Sequence, residues 1–161
     1  MRSFFFILLV FPLLSFSQEC KLLKETDPYT KETKLSSGFI EMQQASVNII
    51  ADDKEIDFFF IVNDRCFNDA STVFVYFEGS KVKTTYRNSG SVNCDGYFHF
   101  KFRNSATTQS PVQKMATQKI AQFVFTDNTK KQVIVSLFPD QQAVLMETIT
   151  CIASEAKSLI K

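Results

Sequence analysis

Four cysteines and a single histidine are the residues of this chain best suited to carry chemistry. The cysteines are Cys20, Cys66, Cys94 and Cys151, and no two of them have the Cys-x-x-Cys spacing of redox or zinc sites. An even number of cysteines in an exported chain favours two disulfides, and once the cysteines are paired too few ligands remain for zinc. We therefore expect structural cysteines, no metal and no cofactor.

The order of the predicted strands favours one of the three possible disulfide pairings. Cys66 and Cys94 lie in the two longer gaps between predicted strands, with two strands and a tight turn between them. Because alternate loops of an antiparallel meander lie at the same end of the sheet, we predict a Cys66–Cys94 disulfide. This pairing leaves Cys20 to bond with Cys151.

Recognisable catalytic motifs are missing from the sequence. There is no Gly-x-Ser-x-Gly elbow, the glycines are isolated, and His99 falls within a predicted strand. The acidic residues between Asp52 and Asp57 have part of the spacing of a calcium loop, but the mid-loop Gly and the closing Glu are absent. A glycosidase needs only two carboxylates and no local motif, so a small hydrolase stays an alternative to a non-catalytic protein.

The first seventeen residues have the layout of a signal peptide. Arg2 precedes an apolar run at 4–14, and small residues follow, so we predict cleavage after Ser17 and export to the periplasm or the cell exterior. The residues before Cys20 are not the small, uncharged set that lipoprotein processing requires, which argues against a lipid anchor there. Residues 18–161 are predicted to form a single secreted β-rich domain with no transmembrane helix.

Charge is unevenly divided along the mature chain. Residues 18–78 contain six basic and twelve acidic residues, a net charge of −6, whereas residues 79–161 contain eleven and five, a net charge of +6. This division predicts that the two halves attract each other in the fold. Neither half is basic enough to indicate nucleic acid as a partner.

Two hairpins are predicted from strand-like runs around short polar turns. Residues 47–50 and 56–62 flank Asp52-Asp53-Lys54, and residues 120–126 and 132–137 flank Asp127-Asn128. In residues 56–62 both alternating sets of side chains are apolar, which is typical of a strand covered on both faces. A helix predicted over residues 140–160 is the candidate cover, because one stripe along it is apolar: Leu145, Ile149, Ile152, Ala156 and Leu159.

A third hairpin is predicted around Gly79-Ser80, where glycine in the first position favours a type II′ turn. Counting outward from this turn places Val73 opposite Tyr86 and Val75 opposite Thr84. The following strand, residues 97–103, alternates phenylalanine with polar residues. If it pairs with the strand before it, Tyr86 lies opposite Phe98 and Thr84 opposite Phe100.

That register gathers basic and aromatic side chains on one outer face. The candidate binding residues are Phe74, Tyr76, Lys81, Lys83, Arg87, His99, Lys101 and Arg103. Each pair of like charges on adjacent strands lowers the stability of the fold by a few tenths of a kcal/mol. Such a face is therefore expected either to be fully solvated or to bind an anionic ligand. An anionic polymer, a carbohydrate or a protein at the cell exterior are the partners considered.

Together these patterns predict an α+β fold: a curved, mainly antiparallel sheet of six to eight strands, packed by the C-terminal helix and joined by two disulfides. The alternative is a closed β-barrel with the helix outside, a layout similar to that of lipocalins, although their Gly-x-Trp signature is absent and the chain has no Trp. The predicted function is a non-catalytic module that binds through the basic and aromatic face or an apolar pocket. A small secreted hydrolase and a secreted enzyme inhibitor are the alternatives.

Overall fold

Seven strands, a helix, two more strands and a C-terminal helix make up the part of the chain that the computed structural model describes, residues 20–160. The predicted signal peptide lies outside these residues. The elements in chain order are β1 (Leu23–Thr26), β2 (Thr33–Met42), β3 (Ala45–Ala51), β4 (Glu55–Val62), β5 (Thr72–Phe77), β6 (Lys83–Arg87), β7 (Tyr97–Arg103), α1 (Ser110–Thr117), β8 (Ile120–Thr126), β9 (Gln132–Ser136) and α2 (Pro139–Glu155), which continues as a 3₁₀ helix at Ala156–Leu159.

The strands form two antiparallel sheets. One has the order β1-β2-β3-β4-β7 and the other the order β6-β5-β8-β9. The predicted α+β fold is confirmed, whereas the alternative of a closed barrel is wrong. The described residues contain nine strands in two sheets, instead of the predicted six to eight in one curved sheet.

Phenylalanine rings from both sheets fill the core between them. The ring centroid of Phe60 on β4 lies 5.1 Å from that of Phe123 and 5.2 Å from that of Phe125, both on β8. Within the first sheet, Phe58 stacks on Phe100 at 5.1 Å. Each fully buried ring contributes about 1.5–3 kcal/mol through the removal of apolar surface from water. The two sheets therefore pack against each other through their inner, apolar faces.

The register of the β5–β6 hairpin is as predicted, but its turn differs. Val73 pairs with Tyr86 and Val75 with Thr84. The last ladder pair joins Tyr76 to Lys83, and Gly79 has a φ of +70°. The N–H of Ser80 donates to the carbonyl of Phe77, so Gly79 is the third residue of that turn and not the first residue of a type II′ turn.

The predicted pairing of β7 with β6 is wrong, because β7 lies beside β4. Phe98 pairs with Phe60, and Phe100 with Phe58, where Tyr86 and Thr84 had been expected. The apolar side chains of β4 give the phenylalanines of β7 partners that are buried on the same face, whereas β6 offers one tyrosine and a threonine. Tyr86 still stacks on Phe100 at 4.5 Å, but it does so across the gap between the sheets.

The C-terminal helix covers a different surface from the one predicted. Leu145, Ile149 and Ile152 are buried as expected, and α2 packs beside α1 and against β2, β3 and β8. It does not cover the second apolar face of β4, so Phe59 and Ile61 stay partly exposed there.

Two disulfides join distant parts of the chain, Cys20 to Cys151 and Cys66 to Cys94, which is the pairing that the sequence favoured. The reason for the second one differs from the argument that predicted it. Because β7 pairs directly with β4, the end of β4 and the start of β7 lie together, and an isolated bridge between Phe67 and Asn93 holds the two loops in contact.

Two disulfides indicate an oxidising compartment. Among residues 20–160, no helix is both long and apolar enough to cross a membrane.

Candidate functional site

The eight predicted binding residues lie on two surfaces instead of one. Phe74, Tyr76, Lys83 and Arg87 belong to the β5–β6 hairpin, and Lys81 lies in its connecting loop. The other group is on β7 and consists of His99, Lys101 and Arg103. Because β7 pairs with β4 and the sheets pack through their inner faces, the outward side chains of β6 and of β7 point away from each other.

The basic residues of β7 lie opposite acidic residues of β4. Lys101 donates through Nζ to the carboxylate of Glu55, and the same Nζ lies 3.6 Å from Oδ2 of Asp57. The hydrogen bond to Glu55 is the largest cause of a raised pKa of Lys101; burial opposes it, and the charges of Asp57 and Glu55 add to it. The like-charge repulsion expected from sequence is therefore absent from this strand pair.

An aromatic cluster lies next to these ion pairs on the same outer surface. We define the aromatic face as Phe39, Asn48, Phe59, Tyr97 and His99, of which all but Tyr97 form one row across four strands. Phe59 is central: its ring centroid lies 6.4 Å from that of Phe39, 5.4 Å from that of Tyr97 and 6.1 Å from that of His99. Phe39 is 50% exposed and Tyr97 is 42% exposed. Solvent thus reaches aromatic rings on both sides of the central one.

The side chain of Asn48 is oriented by a bulge in β2. The Oγ of Ser36 accepts a hydrogen bond from the N–H of Gly38 at 3.1 Å, so its hydroxyl hydrogen is free to donate to Oδ1 of Asn48 at 2.8 Å. Gly38 occupies the left-handed region, with a φ of +70°, at the register shift between β2 and β3. With its oxygen fixed in this way, Asn48 makes no hydrogen bond through Nδ2 to any described residue. Two N–H donors are thereby left beside the rings of Phe39 and Phe59.

His99 has one hydrogen-bonded nitrogen and one crowded nitrogen. Its Nδ1 lies 3.0 Å from Oδ2 of Asp57. On the other side, a Cβ added to Gly90 would lie 2.8 Å from Nε2, so the backbone of Gly90 closely approaches the ring. The same segment binds the edge of β7, since Ser89 donates to the carbonyl of His99 at 2.7 Å.

This His–Asp pair has two of the three groups of a hydrolase triad. Within residues 20–160, no serine or threonine hydroxyl makes a hydrogen bond to His99. The pair joins β7 to β4 through its side chains. Asn88 joins the segment 88–90 to the same strand, because its Oδ1 accepts from the backbone N–H of His99 at 3.0 Å and from that of Gly90 at 3.1 Å. These contacts order the edge of the aromatic face.

Two open hollows in the described surface are lined mostly by polar side chains. One lies at the β1–β2 turn, lined by Glu25, Thr26, Asp27, Pro28, Glu32 and Lys34. The other lies between α1 and α2, lined by Thr108, Gln113, Ala116, Thr117, Thr150, Ala153, Ser154 and Lys157. Neither is the apolar pocket considered from sequence. In the described part of the chain, no three His, Cys, Asp or Glu residues are grouped as metal ligands would be.

Four residues of the aromatic face were not among the predicted binding residues. The signals for two of them were present, since Tyr97 alternates in phase with His99, and Phe59 belongs to the second apolar set of β4. Phe39 and Asn48 had no such signal, because their position depends on the bulge in β2.

Comparison with known proteins identifies no relative, because no family model, no curated protein and no solved structure matches this chain.

Proposed function

We propose that this protein is an exported, non-catalytic binding module that holds its ligand on the aromatic face. Two disulfides and the predicted signal peptide support export. The observation that carries the proposal is the open cluster around Phe59, with half-exposed rings on either side at Phe39 and Tyr97. Contiguous exposed apolar surface on a folded domain commonly marks a site of interaction.

A carbohydrate is the ligand class that fits the polar groups of this face. A pyranose ring has an apolar face of C–H groups, which stacks on aromatic rings, and hydroxyls at its rim, which need hydrogen-bond partners. Phe39, Phe59 and Tyr97 supply the rings, and Asn48 supplies two N–H donors next to them. Asp57 is a nearby carboxylate that can accept from a hydroxyl.

A neutral carbohydrate fits better than an acidic one. Nζ of Lys101 is already bound to the carboxylate of Glu55, and Nδ1 of His99 lies 3.0 Å from Oδ2 of Asp57, so the basic groups nearest the rings have carboxylates at hydrogen-bonding distance. An anionic ligand would have to compete with these carboxylates for the same cations. Uncharged hydroxyls face no such competition.

Affinity electrophoresis in gels that contain neutral polysaccharides tests the proposal. Replacing either exposed ring, in Phe39→Ser or Tyr97→Ser, removes stacking surface and is expected to weaken retention about tenfold, which corresponds to about 1.4 kcal/mol. The matched control is Ile134→Ser, because Ile134 is 58% exposed on the outer face of the other sheet. Retention that is unchanged in both ring variants, or equally weakened in the control, would contradict the proposal.

A protein ligand is the second candidate, because the apolar surface extends beyond the rings. Ile61 is partly exposed beside Tyr97, and Leu23 is 62% exposed on β1. An apolar centre with charged side chains at its rim is the usual anatomy of a protein interface. Specific photocrosslinking of a secreted protein from position 39, together with no retention by any polysaccharide, would favour this candidate.

A further inference from the structure

Four lysines surround the end of the β5–β6 hairpin. We define the lysine tip as Lys81, Lys83, Lys114 and Lys119, together with the exposed Val82 between the first two. The hairpin and the α1–β8 connection meet here, because the N–H of Glu78 donates to the carbonyl of Lys119 at 2.9 Å. Residues from two separate parts of the chain thus form one basic surface.

Aromatic rings fix two of these lysines on opposite sides of the hairpin. Nζ of Lys83 lies 3.7 Å from the centre of the Phe74 ring on the outer face of the sheet. Nζ of Lys114 lies 4.2 Å from the centre of the Phe77 ring, whose side chain points inward. Cation–π contacts hold both ammonium groups near the hairpin end without neutralising their charge.

Among the described residues, the lysine tip has no carboxylate placed as those that bind Lys101 on β7. Residues 78–83 and 114–119 contain four lysines and one acidic residue, Glu78. None of the four ammonium groups lies within 4.0 Å of a carboxylate among the described residues. Positive potential is therefore available to an anionic partner at this end of the molecule.

The shape of the lysine tip selects among anionic partners. The β5–β6 ladder ends at Lys83, so residues 78–82 project beyond it, and Val82 between two lysines is 67% exposed. Because lysines lie on opposite sides of the hairpin, a flat surface can meet several of them at once and accept an apolar side chain below its charged layer.

We propose that the lysine tip binds the surface of an anionic lipid bilayer. The ammonium groups lie at the level of the lipid phosphates, and Val82 enters the boundary between head groups and acyl chains. The lysine tip and the aromatic face belong to different sheets, so membrane binding and carbohydrate binding can be tested independently of each other.

Vesicle sedimentation of the disulfide-bonded mature protein tests this proposal. Vesicles with about 30% phosphatidylglycerol in phosphatidylcholine are compared with pure phosphatidylcholine, at about 0.05 M and about 0.5 M salt, since screening weakens surface attraction. We expect binding to the anionic vesicles at low salt, and a loss of most of it at high salt. Val82→Ser is expected to weaken binding several-fold.

Charge-matched variants separate the lysine tip from net charge. Each lysine near an anionic surface changes partitioning by about fivefold, so K81Q/K83Q is expected to weaken binding by about 25-fold. The control K130Q/K131Q removes the same charge at the β8–β9 turn and is expected to have a much smaller effect. Phe39→Ser is expected to leave vesicle binding unchanged.

Three outcomes would overturn the proposal. The first is equal binding to neutral and anionic vesicles. The second is an equal loss in K130Q/K131Q and K81Q/K83Q, which would mean that net charge alone is responsible. The third is retention by a sulfated polysaccharide without vesicle binding, which would assign the lysine tip to a polymer. Circular dichroism of each variant verifies that its fold is intact.

Discussion

Lysine side chains lie near aromatic rings both beside the aromatic face and at the lysine tip, yet the two surfaces are built in opposite ways. Beside the aromatic face, Lys101 is bound to carboxylates, and the ring of Tyr97 is open to solvent. At the lysine tip, Lys83 lies over the ring of Phe74 and has no carboxylate within 4.0 Å among the described residues. The aromatic face therefore exposes aromatic rings to a ligand, and the lysine tip exposes positive charge.

The neighbouring strand causes this difference. Lys101 and Lys83 occupy equivalent outward positions on edge strands, but Lys101 is opposite Asp57 and Lys83 is opposite Tyr76. An acidic residue on the neighbouring strand neutralises the charge of the lysine. An aromatic residue leaves that charge unpaired, and the lysine side chain covers part of the exposed surface of the ring. The ligand chemistry of a sheet face thus depends on pairs of strands and not on a single strand.

The largest effect is expected from disrupting the contact that holds β7 against β4. Gly96 has a φ of +78°, and a Cβ added there would lie 2.1 Å from the carbonyl oxygen of Val62. Gly96→Ala is expected to lower the free energy of unfolding by at least about 3 kcal/mol, which urea denaturation of the disulfide-bonded protein measures.

Gly79→Ala is the matched control for this substitution. Gly79 has a φ of +70°, but a Cβ there meets nothing within 4 Å. It shares the backbone strain of Gly96 without the steric overlap, so a loss of only about 1 kcal/mol is expected. Equal losses in the two variants would mean that backbone strain, and not the approach of Val62, determines the effect.

A smaller effect is expected at the edge of the aromatic face. Gly90→Ala places a Cβ 2.8 Å from Nε2 of His99, whose ring cannot turn away without losing its bond to Asp57. We expect a loss of about 1–2 kcal/mol in the free energy of unfolding. In a His99→Ala background the overlap is absent, so Gly90→Ala should then cost little; equal costs in both backgrounds would contradict the proposed contact.

The sequence specified local pairing more fully than the arrangement of the sheets. The register of β5 with β6 follows from counting around Gly79, because a short loop leaves few alternatives. The neighbour of β7 could not be obtained in this way. Alternation in residues 97–103 shows which side is apolar, but β4 and β6 both present apolar side chains, and the pattern does not show that Phe98 and Phe100 pair with Phe60 and Phe58.

The candidate site was only partly visible from sequence for the same reason. His99, Lys101 and Arg103 were correctly placed on an outer face, but the residues beside them came from β4 and not from β6. The aromatic face depends on which surface α2 covers, and its amphipathic stripe shows that it packs without showing where. Such choices depend on the competition between long-range contacts, which a single sequence does not display.

The smallest effect is expected from the ion pairs that distinguish the two surfaces. The pKa of Lys101 is raised, first by its hydrogen bond to Glu55, so the stability that it contributes is fully present below the ordinary lysine pKa of about 10.4 and is lost as pH rises through the folded value. Because the pair is partly exposed, we expect a contribution of about 0.5–1 kcal/mol.

Lys101→Met should remove this contribution at about pH 9 and leave the stability at about pH 12 nearly unchanged relative to the parent protein. Lys81→Met is the matched control, because Lys81 is exposed at the lysine tip and, among the described residues, has neither a carboxylate within 4.0 Å nor an aromatic ring beside its ammonium group. Burial raises the pKa of Tyr86, which adds a loss of stability at alkaline pH in all three proteins, so the difference between variants isolates the lysine. If Lys81→Met changed the pH profile as much as Lys101→Met, the charges of the two surfaces would be equivalent, and the division into an open aromatic face and a charged tip would fail.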